Sequence, residues 1–336
     1  MILVTGGTGL VGSHILLELT RKGKKCRTLL RKESSTALVE KLFAPHPELL
    51  KSVEWVEGDV TDVYSVFESL EGVEEVYHAA AMISFAPSEV KRMMKVNIEG
   101  TANMVNMSLE KGVKKFCHIS SVAALGRTAE GQQIDEKSVW KTSSLNSNYA
   151  ISKYGAEREV WRGIEEGLNA VVLNPTIILG PGDWNKGSAK MIQQVWKGLR
   201  FYTPGSTGFV DVRDVAKAAV LLMEKDIHAQ RYILNAENVS YKYLFETIAS
   251  NLHKPQPSIR VSPFLGEVAW RSIALAHVFS KNKPLITKET SRNAQRHWTY
   301  SNEKIIRETG MRFIPVSESL AHTCEVFLAE QRGNKN

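Results

Sequence analysis

The sequence has little cysteine, no long uninterrupted apolar run, no internal repeat and no low-complexity tract, and each shortage removes a class of protein. Its three cysteines, Cys26, Cys117 and Cys324, are odd in number and far apart. They supply neither a disulfide framework nor a zinc-ligand spacing, and Cys26 and Cys117 fall in strand-like runs where cysteine behaves as a small core residue. The most apolar late stretch, residues 261–280, is interrupted by Glu267, Arg271 and His277. It therefore reads as a buried or amphipathic helix and not as a membrane span. Met1 opens the first strand-like run, so no signal peptide is expected and the location implied is cytoplasmic. The tail, 331–336, reads as disordered.

Charge is also unremarkable once it is placed. The chain of 336 residues carries a net charge of +7, and seven Lys or Arg fall between Arg21 and Lys32. Aromatic stacking residues are not interleaved with them, and most lie at a helix end, where cations suit the macrodipole. No nucleic-acid partner is expected. His78 and His118 have no carboxylate or second histidine at metal-ligand spacing, so a buried, hydrogen-bonded histidine is expected at each and no metal.

What is present begins at the first residues. TGGTGLVG (5–12) follows a four-residue apolar run and precedes a helical periodicity, which places its glycines on a strand-to-helix turn. Gly6 would permit the tight turn, Gly9 a close approach to a pyrophosphate, and Gly12 close helix–strand packing. Thr8, Leu10 and Val11 would present backbone to the phosphates at the helix N-terminus. A dinucleotide cradle, and with it a nicotinamide enzyme, is the leading reading.

Strand-like runs at 2–5, 25–30, 53–57, 75–79, 115–120 and 170–173 alternate with helical ones at 9–21, 36–43, 63–70, 89–109 and 148–165. This alternation predicts an α/β fold, a Rossmann-type doubly wound parallel sheet over 1–180. Beyond Pro181 the alternation stops, and 181–330 is expected to form mainly a smaller C-terminal substrate lobe with isolated strands such as 231–234. Some segments could return to the main sheet.

A second constellation is Tyr149 with Lys153, preceded by Ser120 and Ser121 at a strand end. Four-residue spacing on a helix puts phenol and ammonium on one face. A nearby ammonium favours phenolate, and bringing the phenol from about 10 to neutrality takes about 4 kcal/mol. Tyr300 and Lys304 repeat the spacing without a strand-end serine, so they are read as ordinary surface.

With these residues the chain resembles the extended short-chain dehydrogenase/reductase family. The resemblance is carried by TGGTGLVG, GDV (58–60), HAAA (78–81), VNIEGT (96–101), HISSVAALG (118–126), YAISK (149–153), LNPTIILGPGD (173–183) and FVDVRDVA (209–216). It implies that Tyr149 is the catalytic acid and base, that Lys153 tunes it and bonds the nicotinamide ribose, and that Ser121, rather than Ser120, polarises the substrate carbonyl. Asp59 and Val60 are implied adenine contacts; Asp59 could instead cap the next helix. Ala79, Ala80 and Ala81 would wall the pyrophosphate and ribose, and Pro175, Thr176, Ile177 and Ile178 would line the nicotinamide. Asn97 resembles a position that holds the site's architecture beside the cofactor.

Departures from the family pattern narrow the reaction. Dehydratases that resemble this chain place an Asp-Glu pair where Val122 and Ala123 stand, and many epimerases carry an arginine where Thr207 stands. Arg31 and Lys32 follow the second strand, where NAD enzymes of this fold place an acidic residue that accepts hydrogen bonds from the ribose. The branch resembled is that of dihydroflavonol reductases and 3β-hydroxysteroid dehydrogenases. The expectation is an NADP-dependent oxidoreductase acting on a small carbonyl or alcohol substrate, with NADP preferred to NAD. Met82, Ile83, Phe85, Trp140, Trp184 and Trp196 are possible apolar walls. A nucleotide-sugar epimerase and a non-catalytic cofactor-binding protein stay open as alternatives. A homodimer is expected through the helices at 89–109 and 148–165; Met93, Met94, Met104 and Met107 on the first of them are expected to pack in the core or at the subunit interface.

Overall fold

Four- to six-residue apolar runs become strands because both faces of the sheet they form are covered. The computed structural model describes residues 1–126, 131–143, 146–262 and 294–333. In it β1 (Ile2–Thr5), β2 (Cys26–Leu30), β3 (Val53–Glu57), β4 (Glu75–His78), β5 (Lys115–Ile119) and β6 (Ala170–Pro175) pair in parallel. They belong to a seven-stranded sheet whose order along the sheet is β3-β2-β1-β4-β5-β6 followed by the strand Gln230–Leu234. Alternate residues face opposite ways: Ile2 and Val4 enter one core while Leu3 enters the other. Strands so enclosed must be apolar throughout, which is why their sequence runs show no alternation.

The first core is closed by α1 (Leu10–Arg21) and α2 (Ala37–Phe43). The second is closed by α3 (Val63–Ser69), by a long helix described next, and by α6 (Asn148–Glu165). The long helix is composite. α4 (Val90–Met94) runs through a π-helical turn (Lys95–Glu99) into α5 (Gly100–Glu110). Caps set the starts: Asp62 accepts from Tyr64 N and Ser65 N ahead of α3, and the Ser147 hydroxyl accepts from Ala150 N ahead of α6.

Two expectations about the later chain are corrected. Residues 231–234 are not an isolated strand, because Gln230–Leu234 pairs in parallel with β6 at the edge of the main sheet. α8 (Val212–Glu224), the second helix after β6, likewise packs into the core beside α1. Counting that returning strand as β10, β7 (Ile177–Leu179) and β9 (Ser206–Asp211), separated along the chain by the short β8 (Phe201–Tyr202), form a second sheet with β11 (Glu237–Ser240). It lies against α7 (Ala189–Trp196), α9 (Tyr241–Asn251) and the last helix, Val316–Gly333. That helix takes in residues 331–333 of the tail that reads as disordered, because its apolar face, with Leu320 and Phe327, is buried. The apolar stretch 261–280 falls, from 263 on, outside the described residues.

Candidate active site

The glycine turn meets the physical requirements of a phosphate cradle. Gly6 has φ +71°, and a Cβ there would come within 2.8 Å of the Ala79 carbonyl and Ala80 N. A Cβ on Gly12 would collide with the Gly6 carbonyl, so the start of α1 is pressed onto the end of β1. Gly9 is the N-cap of α1; no side chain among the described residues caps it, and the first turn holds no acidic residue. The resulting positive helix end at the carboxyl edge of a parallel sheet suits a diphosphate.

Around this edge the structure gathers most of the residues singled out above. Ala80 N donates to Thr5 Oγ1 at 3.1 Å, which ties β1 to the segment after β4. Arg31 and Lys32 follow β2 and are exposed, and Arg31 Nε lies 4.0 Å from Glu33 Oε1. Asp59 Oδ1 accepts from Thr61 N and Thr61 Oγ1, both at 2.8 Å, so it folds the loop while Asp62 caps the helix. Val60 is turned inward: its side chain is buried against Gly100 and its carbonyl accepts from Asn103. Thr176 is also enclosed, its hydroxyl donating to the Leu234 carbonyl. Pro175 ends β6, and Ile177 and Ile178 begin β7 beside it, both half-buried.

Ser121, Tyr149 and Lys153 converge because β5 ends beside the first two turns of α6. The Ser121 side chain faces the Tyr149 phenol closely enough to offset part of the rise that burial imposes on the phenol's pKa. Lys153 is 2% exposed and donates to the Ile119 carbonyl at 2.9 Å. Burial pulls its ammonium down to about 8, opposed by the Glu157 carboxylate. Burial dominates at Tyr149, whose proton stays on at neutral pH.

Asn97 lies in the π-helical turn. Its Oδ1 accepts from Met82 N at 2.7 Å, and its Nδ2 donates to the Met82 carbonyl and Ser152 Oγ, both at 2.9 Å. Ser152 in turn donates to the Tyr149 carbonyl. Asn97 thus staples the segment after β4 to α6. His78 is hydrogen-bonded as expected, to Thr5 and Thr101. His118 is not: both of its ring nitrogens are buried without a partner among the described residues, and burial holds it well below its ordinary pKa.

The other residues divide clearly. Ser120 donates to Glu157 Oε2 at 2.6 Å and is not free to bind a substrate oxygen. Lys304 donates to Gln230 Oε1 and the Arg231 carbonyl, so the Tyr300–Lys304 spacing does not form a second site. Phe85 sets its ring edge-on to Tyr149 at 6.0 Å, and Trp140 stacks on Tyr154 at 4.4 Å. Trp184 and Trp196 instead pack on Phe327 in the C-terminal core. Met93 and Met104 are fully buried within the chain and so take the core packing, while Met94 and Met107 are half-buried. The cation cluster is largely spent internally, Lys22 on Glu224 and Arg27 on Glu54. Glu157 and Asn174, which brace Ser120 and Ser121, were missed in the sequence. The signal for Glu157 was there, one further helical step in the series 149, 153, 157.

The chain is 26% identical over 337 residues to sterol demethylase protein B of Methylococcus capsulatus, covering 98% of each. It is 27% identical to a putative dihydroflavonol 4-reductase of Synechocystis, covering 96% of this chain and 93% of the relative. The crystal structure of gox2253 superposes with a TM-score of 0.83 at 31% identity, covering 99% of both chains. The pattern of the NAD dependent epimerase/dehydratase family matches residues 2–235, and the chain belongs to that family.

Proposed function

We propose that this protein is an NADP-dependent reductase or dehydrogenase that interconverts a carbonyl and an alcohol. The observation that carries the reading is the approach of Ser121 to the Tyr149 phenol with Lys153 buried one turn further along α6. A hydroxyl pair of this kind can hold and protonate one oxygen atom. A bound nicotinamide would exchange hydride with the carbon of the same group. In the reductive direction Ser121 holds the carbonyl oxygen and Tyr149, protonated at neutral pH, delivers its proton to it as the oxygen gains charge. Lys153 lends positive charge beside the developing phenolate. The glycine turn, Ala79 to Ala81 and the Pro175–Ile178 segment would hold the cofactor, with Arg31 and Lys32 at its adenosine end.

Val122 and Ala123 follow Ser121 directly, and neither can act as acid or base, which speaks against dehydration. Thr207 is buried in β9 and provides no cation for a sugar nucleotide. Phe85, 41% exposed, and Ile83, 62% exposed, flank the segment that Asn97 holds, giving the site an apolar approach. The test is a panel of ketones, aldehydes, alcohols and nucleotide sugars with NADPH and NADH, followed by nicotinamide absorbance. Net oxidation or reduction of an apolar carbonyl or alcohol is expected. Interconversion of nucleotide sugars without net change in the nicotinamide would overturn the reading.

A further inference from the structure

Glu157 has an environment that helix packing alone does not require. It is 2% exposed, yet it lies on the face of α6 that carries Tyr149 and Lys153. Its Oε2 accepts from Ser120 Oγ at 2.6 Å and Asn174 Nδ2 at 2.7 Å. The same Asn174 amide donates to the Ser121 carbonyl at 3.0 Å, so the carboxylate is tied directly to the Ser120 hydroxyl and, through Asn174, to the main chain of Ser121. Its Oε1 accepts from Trp161 Nε1 at 3.2 Å and lies 3.5 Å from Arg231 Nη1. Arg231 comes from the edge strand Gln230–Leu234 and lies over the Trp161 ring at 5.1 Å.

We propose that Glu157 is a positioning residue for the candidate catalytic pair, fixing the main chain of Ser121 and acting as the counter-charge of Lys153, with Arg231 limiting that charge from behind. The proposal rests on the reading of Ser121 and Lys153 as catalytic. The groups facing Lys153 are few. From its own helix they are Tyr149 and Glu157; from β4 and β5 they are His78 and His118, both kept neutral by burial, and the Ile119 carbonyl. Among the described residues Glu157 is the carboxylate of this set, and Arg231 is the cation that meets it. Lys304, the next cation along, is bonded to Gln230 and the Arg231 carbonyl instead. A carboxylate enclosed to this degree is costly unless it is well partnered, and replacing one of its partners redistributes its field onto the others.

A direct titration separates this role from simple packing. Lysine labelled with ¹³C at Cε, its Lys153 resonance assigned with Lys153→Arg, reports the ammonium in the whole protein with neither cofactor nor substrate added. Glu157→Gln keeps the shape and an acceptor oxygen but removes the charge, and should lower the Lys153 midpoint by about one pH unit. Arg231→Gln should move it upward, because the full carboxylate charge then acts on the lysine. From a starting midpoint of about 8, a one-unit fall leaves roughly twofold less protonated Lys153 at pH 7 and about fivefold less at pH 8. The alkaline limb of kcat/KM should follow the same opposite shifts. Opposite shifts of the midpoint in the two variants support the proposal. An unmoved midpoint, or shifts in the same direction, overturns it, and a Tyr149→Phe assay on the same substrate tells whether the reductase reading survives that result.

Discussion

In the proposed reaction Tyr149 and Ser121 hold the chemistry, and the balance of forces on the phenol decides its direction. Burial favours the neutral form and Ser121 only partly offsets it, so a proton is present for delivery at neutral pH. Tyr149→Phe should lower kcat by about 10² to 10⁴, the span usual for a general acid, while the Kd for NADPH stays nearly unchanged. Tyr300→Phe should retain activity, and an equal loss there would show that the site lies elsewhere. Arg31 governs a different quantity. Exposed at the end of β2 and only loosely held by Glu33, its guanidinium is available to a 2′-phosphate. NADPH should bind more tightly than NADH by about 1.5 to 3 kcal/mol, and Arg31→Asp should erase or invert the difference. Calorimetric titration of both cofactors measures this, and equal affinities in the unaltered protein would remove Arg31 from the site.

Among the elements, the turn between β1 and α1 was legible because a left-handed turn, a close approach and a helix start each call for glycine, and the three fall in order. Gly6→Ala should therefore cost more than conformational strain. Gly23 has φ +73° with open space around it, so Gly23→Ala reads the strain alone, about 1 to 2 kcal/mol. Gly6→Ala adds the clash with Ala79 and Ala80 and should exceed it in denaturant melts, with weaker NADPH binding. Similar losses at the two positions would mean that the turn can yield. The long helix was found by its periodicity, but its π-helical turn was not, since one extra residue per turn leaves no mark on so short a pattern. That turn carries Asn97, whose bonds to Met82 and Ser152 depend on tertiary placement. The edge strand Gln230–Leu234 was recognised as a strand and misplaced, because the choice between lone strand and sheet edge depends on the distant β6. A homodimer through α4, α5 and α6 remains a proposal. With Met93 and Met104 turned inward, it rests on outward residues such as Ile151, 42% exposed. Light scattering at micromolar concentration should give twice the chain mass, and Ile151→Lys should halve it; a monomer in the unaltered protein would exclude this assembly.

For the whole molecule, the sheet order follows from alternating strands and helices, whereas the buried titratable groups that set its pH range could not be read from residue type. None of the helices among the described residues is long and apolar enough to cross a membrane. The three cysteines are buried, with burial pushing Cys26 and Cys324 up to about 12, so alkylation should require unfolding. Histidines dominate on the acid side. Burial lowers His14 to about 4 and His78 to about 3 from 6.5, and holds His118 well below that value. As pH falls through 6.5 the unfolded chain takes up these protons and the folded chain does not, so the stability present above 6.5 is progressively lost. At pH 5 His14 and His78 together should cost about 4 kcal/mol relative to pH 8, with His118 adding in the same direction. Asp214 acts the other way. Burial raises it from 3.8 to about 6, and its uptake of a proton in the folded state should return about 1.4 kcal/mol at pH 5. Denaturant midpoints should therefore fall steadily from pH 7 to pH 5. His118→Leu removes two buried nitrogens that have no hydrogen-bond partner among the described residues. It should leave stability at pH 8 unchanged or higher and flatten the acid slope by up to about 1.4 kcal/mol per pH unit. A slope equal to that of the unaltered protein would mean that His118 is already protonated in the fold, and that the enclosure beside Lys153 is wetter than its packing implies.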